Sequence, residues 1–289
     1  MQATSARIRP AVVSWAAEVA ESLFATLFPA DCRICSEPLI RISRLPVCDA
    51  CLESIHPIAG GRCSICGERI VSAYALDNAS GELRCGICRR LEPPFAKAAA
   101  YGSYESGLRD LIHLLKYQQV RPAANVLGRM LAEVIADLEA GWAAASVLVV
   151  PVPLYAGKFC QRGFNQAELI ARVALKLSSA RDACTIATDV LERSRETQSQ
   201  IGLTRHQRRE NLRGAFRVIT REKVSGREIL LVDDVFTTGT TASECARVLR
   251  RAGAARVWVA TVARTLKAEL EAVRVEPQDD ESLTMAAHG

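Results

Sequence analysis

The chain of 289 residues is long enough for one α/β domain of ordinary size plus a smaller module. A hydrophobic share of 49% excludes a disordered chain, and no apolar run approaches the roughly 18 residues needed to cross a bilayer. The net charge of +5 is modest but uneven: Arg193 to Arg227 holds ten Lys/Arg against three Glu, a larger surplus than that of the whole chain. Such a stretch is either a site for phosphorylated or nucleic-acid partners or a solvated basic face.

At the N-terminus Val12, Trp15, Val19, Leu23 and Leu27 follow helical spacing, while Glu18 and Glu21 fall where a signal peptide needs its apolar core. An amphipathic helix and a cytoplasmic protein are expected. The first eight of eleven cysteines then form four CxxC pairs: Cys32/Cys35, Cys48/Cys51, Cys63/Cys66 and Cys85/Cys88. A two-residue spacer lets a tight turn aim two thiolates at one tetrahedral ion, and two such turns close a four-thiolate zinc site. Sequential pairing gives one site from the first two pairs and a second from the last two; an interleaved pairing satisfies the same spacing. Apolar residues are few here, so bound metal is expected to supply much of the folding energy, on the order of 10 kcal/mol per site. The module should unfold on metal loss while the α/β domain stays folded. His56 reads as exposed rather than as a ligand, and Cys160, Cys184 and Cys245 as small core or near-surface residues.

Beyond Pro93 and Pro94 strands and helices alternate. Leu108, Leu111, Ile112 and Leu115 mark a helix, and a second is expected from Ala123 to Leu138. Ser146 to Val150 is a strand ended by prolines, and Phe164 to Leu177 a helix. Ile229 to Val232 is a buried strand, followed by a helix through Ala246 and Leu249 and a last strand from Arg256 to Val262. This alternation predicts a mainly parallel sheet covered on both faces, with ligands at the carboxyl ends of its strands. The acidic tail after Glu276 is expected to be disordered.

The most informative stretch is ILLVDDVFTTGTT, from Ile229 to Thr241. A buried strand delivers Asp233 and Asp234, and a loop of Thr237, Thr238, Gly239, Thr240 and Thr241 opens directly into a helix. Gly239 permits a tight turn, and the hydroxyls with the first helical N–H groups form an anion cradle. Adjacent carboxylates suit a sugar's vicinal hydroxyls or the hydrated Mg2+ that accompanies pyrophosphate. A Walker B strand looks similar, but the chain has no GxxxxGK[ST] loop to partner it.

This loop resembles the signature with which type I phosphoribosyltransferases bind 5-phosphoribosyl-1-pyrophosphate (PRPP). Taken with LFPADCRIC, the four CxxC pairs, LKY at 115–117, VPVPL at 150–154, RGFNQAELIA at 162–171 and TQSQIGLTRHQRRENLRGAF at 197–216, the chain resembles the ComF (GntX-like) family almost end to end. The resemblance implies a type I phosphoribosyltransferase-like α/β sheet with helices on both faces, plus a small N-terminal zinc-ribbon module. It divides the chain into a helix (1–28), a double zinc ribbon (29–92), a phosphoribosyltransferase-like domain (93–268) and a tail (269–289). Asp233 and Asp234 would hold the ribose hydroxyls, with Mg2+ at Asp233, and Thr237 to Thr241 would hold the 5-phosphate. Lys158 or Arg162 would partner the pyrophosphate after VPVPL, and Asn165 and Gln166 would face the cleft or merely cap the next helix. No residue is assigned as catalytic. The implied function is PRPP binding coupled to handling single-stranded DNA and its processing proteins in natural transformation. The alternative is an active phosphoribosyltransferase of nucleobase metabolism.

Overall fold

The computed structural model describes residues 30–39, 43–70, 81–197 and 204–266. The expected N-terminal helix and the acidic tail lie outside them. Two short helices, α1 (Asp49–Glu53) and α2 (Gly86–Arg90), sit in the cysteine region. There follow β1 (Lys97–Ser103), α3 (Ser106–Tyr117), α4 (Ala123–Glu139), β2 (Val147–Pro151), α5 (Ala156–Arg162), α6 (Gln166–Leu177) and β3 (Cys184–Ile186). The chain closes with β4 (Leu191–Arg193), α7 (Arg205–Leu212), β5 (Phe216–Val218), β6 (Glu228–Phe236), α8 (Thr240–Arg251) and β7 (Arg256–Arg264).

Five strands form one sheet in the order β1-β7-β6-β2-β3, with every pairing parallel, while β4 and β5 make a separate antiparallel hairpin. The continuous apolar run of β6 is what a central parallel strand needs, because both faces are covered. Leu230 and Val232 pack with α3, α4 and α6, whereas Ile229 and Leu231 pack with α8 and the hairpin. All four are buried completely, at roughly 1.5–3 kcal/mol of hydrophobic stabilisation each.

The cysteine module is built into this core. Cys32, Leu45, Val47 and Ile55 join the cluster on the α3/α4/α6 face, and Cys63, Cys66, Cys85 and Cys88 join the cluster on the α8 face. The module also covers the free edge of β1, where the Ala98 N–H donates to the Ile65 carbonyl (2.7 Å) and the Ile58 N–H to the Tyr101 carbonyl (2.8 Å). An open edge strand would otherwise present unpaired backbone groups. The alanines of β1 suit this closeness: Gly67, at φ +71°, leaves only 2.9 Å between an added Cβ and the Ala98 carbonyl oxygen.

Several boundaries differ from the sequence expectation. β6 runs on past Val232 to Phe236, because Asp233, Val235 and Phe236 pair with Thr261, Ala263 and Arg264 of β7. β7 lengthens with it. The helix expected from Phe164 begins instead at Gln166, where Asn165 Oδ1 accepts the Ala167 N–H as an N-cap. Among the described residues no helix is long and apolar enough to cross a membrane.

Candidate functional site

Because side chains alternate along a strand, β6 turns its two acids in opposite directions. Asp234 is buried and faces α3 and α6, where it pairs with the Lys116 ammonium and accepts from Gln166 Nε2 at 3.4 Å. Asp233 is half-buried, and its Oδ1 accepts the N–H of Asp234 at 2.9 Å. Burial favours the neutral form of both. At Asp233 burial and the neighbouring Asp234 charge push the carboxyl well above its usual range. At Asp234 burial is outweighed by Lys116, which holds the carboxyl below that range. The Lys116 ammonium is disfavoured by burial but raised overall by Asp234. Two acids adjacent in sequence thus have opposite titration behaviour, a mark of functional sites.

Lys116 has no role in the expectations drawn from sequence. A signal for it is nonetheless there, since Lys116 lies four residues after Ile112, on the stripe that also carries Leu108, Leu111 and Leu115. A lysine on a buried helical stripe implies a buried anionic partner.

The Thr loop follows β6 as expected. Gly239, at φ +74°, is the N-cap of α8; no side-chain hydrogen bond caps the helix, and Thr238 and Thr240 share a hydroxyl contact of 2.7 Å. An added Cβ at Gly239 would meet the Phe236 ring at 2.5 Å, so only glycine lets the loop lie on that ring. Phe236 is itself fixed from two sides, by Phe95 edge-on at 6.1 Å and by the Arg264 guanidinium 5.0 Å from its centroid. Arg264, 3% exposed, also donates to the Cys66 carbonyl and to Glu68 Oε2 (2.8 Å). An unbroken set of contacts therefore joins the second cysteine cluster to the Thr loop.

The other wall follows β2, whose Pro151 pairs with Val232. Asn165 Nδ2 donates to the Val152 carbonyl (3.0 Å), so Asn165 serves the fold while Gln166 reaches the acid pair. Arg162, the last residue of α5, donates to Gln166 Oε1 and lies over the Tyr117 ring. Lys158 is exposed on α5; partial burial and the charges of Arg193 and Arg162 lower its pKa. Arg193, on β4, donates to Thr197 and lies within the field of Asp233. Lys158, Arg162 and Arg193 thus converge on one side of the acid pair, an arrangement suited to a polyphosphate.

The cysteines form two tetrads, Cys32/Cys35/Cys48/Cys51 and Cys63/Cys66/Cys85/Cys88, with the sulfurs of each within 4.8 Å of one another. A tetrahedral zinc with bonds near 2.3 Å requires sulfurs about 3.8 Å apart. The contacts fit, at 3.9 Å (Cys32–Cys51), 3.6 Å (Cys35–Cys48) and 3.7 Å (Cys66–Cys85). Of the two pairings open to the sequence, the structure has the sequential one. The tetrads differ in burial: Cys35 is exposed, whereas all four residues of the second are buried. His56 is exposed and belongs to neither.

Residues 23–92 match the double zinc ribbon domain family, and residues 162–278 match the phosphoribosyl transferase domain family. The chain is 33% identical over 240 residues to "DNA utilization protein YhgH" of Salmonella typhimurium, a match covering 82% of this chain and 98% of that protein. It is 31% identical over 224 residues to "Competence protein F" of Haemophilus influenzae, covering 75% and 96%. It is 23% identical over 209 residues to "Competence protein ComFC" of Bacillus subtilis, covering 72% and 80%. Parallel sheet, cysteine tetrads and near full-length relatives agree, and the chain belongs to the ComF family, in which a double zinc ribbon precedes a phosphoribosyltransferase-type domain.

Proposed function

We propose that this protein binds Mg2+-PRPP at the carboxyl end of β6 and handles single-stranded DNA in the cytoplasm, where reducing conditions keep its thiolates available to zinc. The observation that carries the reading is the delivery of Asp233 and Asp234 beside the Gly239 turn that starts α8. In this reading Thr237 to Thr241 and the first N–H groups of α8 take the 5-phosphate. Asp233 and Asp234 accept the ribose hydroxyls, Asp233 also facing the Mg2+ that travels with pyrophosphate. Lys158 and Arg162 neutralise the pyrophosphate, and Lys116 keeps Asp234 ionised so that it can accept a hydrogen bond. Calorimetric titration with PRPP, with and without Mg2+, tests the pocket; no heat in either condition contradicts it. Release of pyrophosphate on adding a nucleobase would identify turnover.

The DNA partner is supported by the names of the relatives and by the packing of the basic stretch. Burial, with the charges of Arg251, Arg209 and Arg213, lowers the Arg247 pKa, so Arg209 and Arg213 lie within the field of Arg247 on α8. Arg247 also pairs with Glu244, so four arginines share that one acid and the cluster keeps a positive surplus that suits a phosphate backbone. Each phosphate contact to a single strand contributes about −0.7 to the log–log salt slope, so four contacts predict about −3. Reversing Arg209 and Arg213 to Glu should weaken oligonucleotide binding and flatten the slope by about 1.4. An unchanged slope in fluorescence anisotropy would remove this face from the interface.

A further inference from the structure

Binding of single strands without reading their sequence uses aromatic rings that stack bases as well as charges that hold phosphates, and the basic stretch offers no exposed ring. Phe216, the one aromatic residue between Arg193 and Arg227, is 3% exposed, with the Arg193 guanidinium over its ring. Among the described residues the strongly exposed rings lie elsewhere: Tyr117, the last residue of α3, is 66% exposed, and Phe159 of α5 is 48% exposed. Single exposed aromatics are ordinary on protein surfaces. Tyr117 is distinguished by what holds it. His113 meets its ring edge-on at 5.2 Å, and His113 Nε2 hydrogen-bonds the Tyr104 hydroxyl at 3.0 Å. The Arg162 guanidinium lies 5.8 Å from the Tyr117 centroid. The ring is thus braced in place while two thirds of its surface stays in water.

Its position matters as much as its rigidity. Arg162 bonds Gln166, and Gln166 bonds Asp234, while Lys116, the residue before Tyr117, pairs with the same Asp234. Tyr117 therefore stands at the mouth of the carboxylate site. Lys158 and Arg109, both exposed, add charge nearby, within the fields of Arg162 and of Tyr104 respectively, Arg109 also meeting Asp110 at 3.4 Å. A rigid ring, a stacked guanidinium and flanking cations are the parts with which proteins bind single strands without reading their sequence. A duplex buries its base faces in its own stack and cannot use such a platform.

We propose that Tyr117, braced by His113 and Arg162, is a stacking site for a base of single-stranded DNA at the mouth of the carboxylate pocket. This rests on the nucleic-acid partner proposed above. The test is fluorescence anisotropy of the full chain with a labelled thymidine oligonucleotide at low salt. Tyr117→Ala is expected to weaken binding roughly 5- to 150-fold, the span typical of losing one base–aromatic stack. Tyr117→Phe keeps the ring and should bind like the parent. An oligonucleotide of abasic sites removes the stacking partner and keeps the phosphates, so it should bind parent and Tyr117→Ala equally. Parent-like binding of the thymidine strand by Tyr117→Ala overturns the stacking site and leaves the DNA partner standing. A loss with the abasic strand as large as with the thymidine strand overturns the site as well, and so does a duplex that depends equally on Tyr117. No binding of any single strand by the parent overturns both, whereas failure of PRPP to bind counts against the pocket alone.

Discussion

Replacing Cys63 by Ser is expected to remove one of two zinc ions and to unfold much more than the ribbon. Cys63 is 2% exposed and its tetrad lies in one buried cluster with Ile229, Leu231, Cys245 and Leu249, residues of β6 and α8. A structural zinc contributes on the order of 10 kcal/mol, comparable with the roughly 5–15 kcal/mol that holds a typical domain together. Loss of this site should therefore abolish the cooperative unfolding transition of the α/β domain. The sequence suggests a module that melts alone; the shared core and the Arg264 contacts to Cys66 and Glu68 predict otherwise for this tetrad. Cys35→Ser, at the exposed corner of the first tetrad, should release its zinc while the α/β domain keeps its transition. Zinc content by elemental analysis, read beside urea unfolding, checks both variants. A Cys63→Ser protein with a parent-like transition would show that the second ribbon does not support the sheet.

Asp234→Ala should act twice. It removes a carboxylate that in our proposal accepts a ribose hydroxyl, a charged hydrogen bond worth about 1.5–3 kcal/mol of PRPP affinity. It also strands the Lys116 ammonium, whose side chain is only 17% exposed, without its partner. Breaking a buried ion pair from one side costs about 3–5 kcal/mol, whereas replacing both charges by apolar groups is often neutral. Lys116→Met combined with Asp234→Leu should therefore regain much of the stability and none of the PRPP affinity. Urea unfolding and PRPP calorimetry on the single and double variants separate the two effects. Parent-like PRPP affinity in Asp234→Ala would remove this residue from the pocket.

The architecture is largely legible in the sequence because its signals are local and strong. A run such as ILLV can only be a buried strand, and the Leu108–Leu115 stripe can only be a core helix. The cysteine spacing is equally plain, and only the choice between pairings needs three dimensions. What cannot be read depends on partners distant in sequence. β1 is an alanine-rich segment with no strand pattern of its own; it exists because β7 pairs with one edge and the ribbon backbone covers the other. Within the site, the Asp pair, the Thr loop and Arg162 announce themselves by their unusual composition. Gln166 is marked as a cleft residue by its place in RGFNQ, though not its bond to Asp234; Lys116, Arg193 and Arg264 are not marked, because each acquires meaning from a contact made across the fold. Of these three, Lys116 leaves a trace, as a charge on an apolar stripe.

In our proposal PRPP sits on the Thr loop between Asp233, Asp234 and the first turn of α8. Amide hydrogen exchange with and without saturating Mg2+-PRPP tests it most directly, because protection reports where the ligand lies. Slowed exchange is expected at the Thr237–Thr241 amides and at the loop after β2. Helix α4, which packs against α6, β1 and β7, should change little. Binding heat accompanied by protection confined to other segments, or unaltered exchange of the Thr loop at saturating PRPP, would place the ligand elsewhere and overturn the proposed pocket.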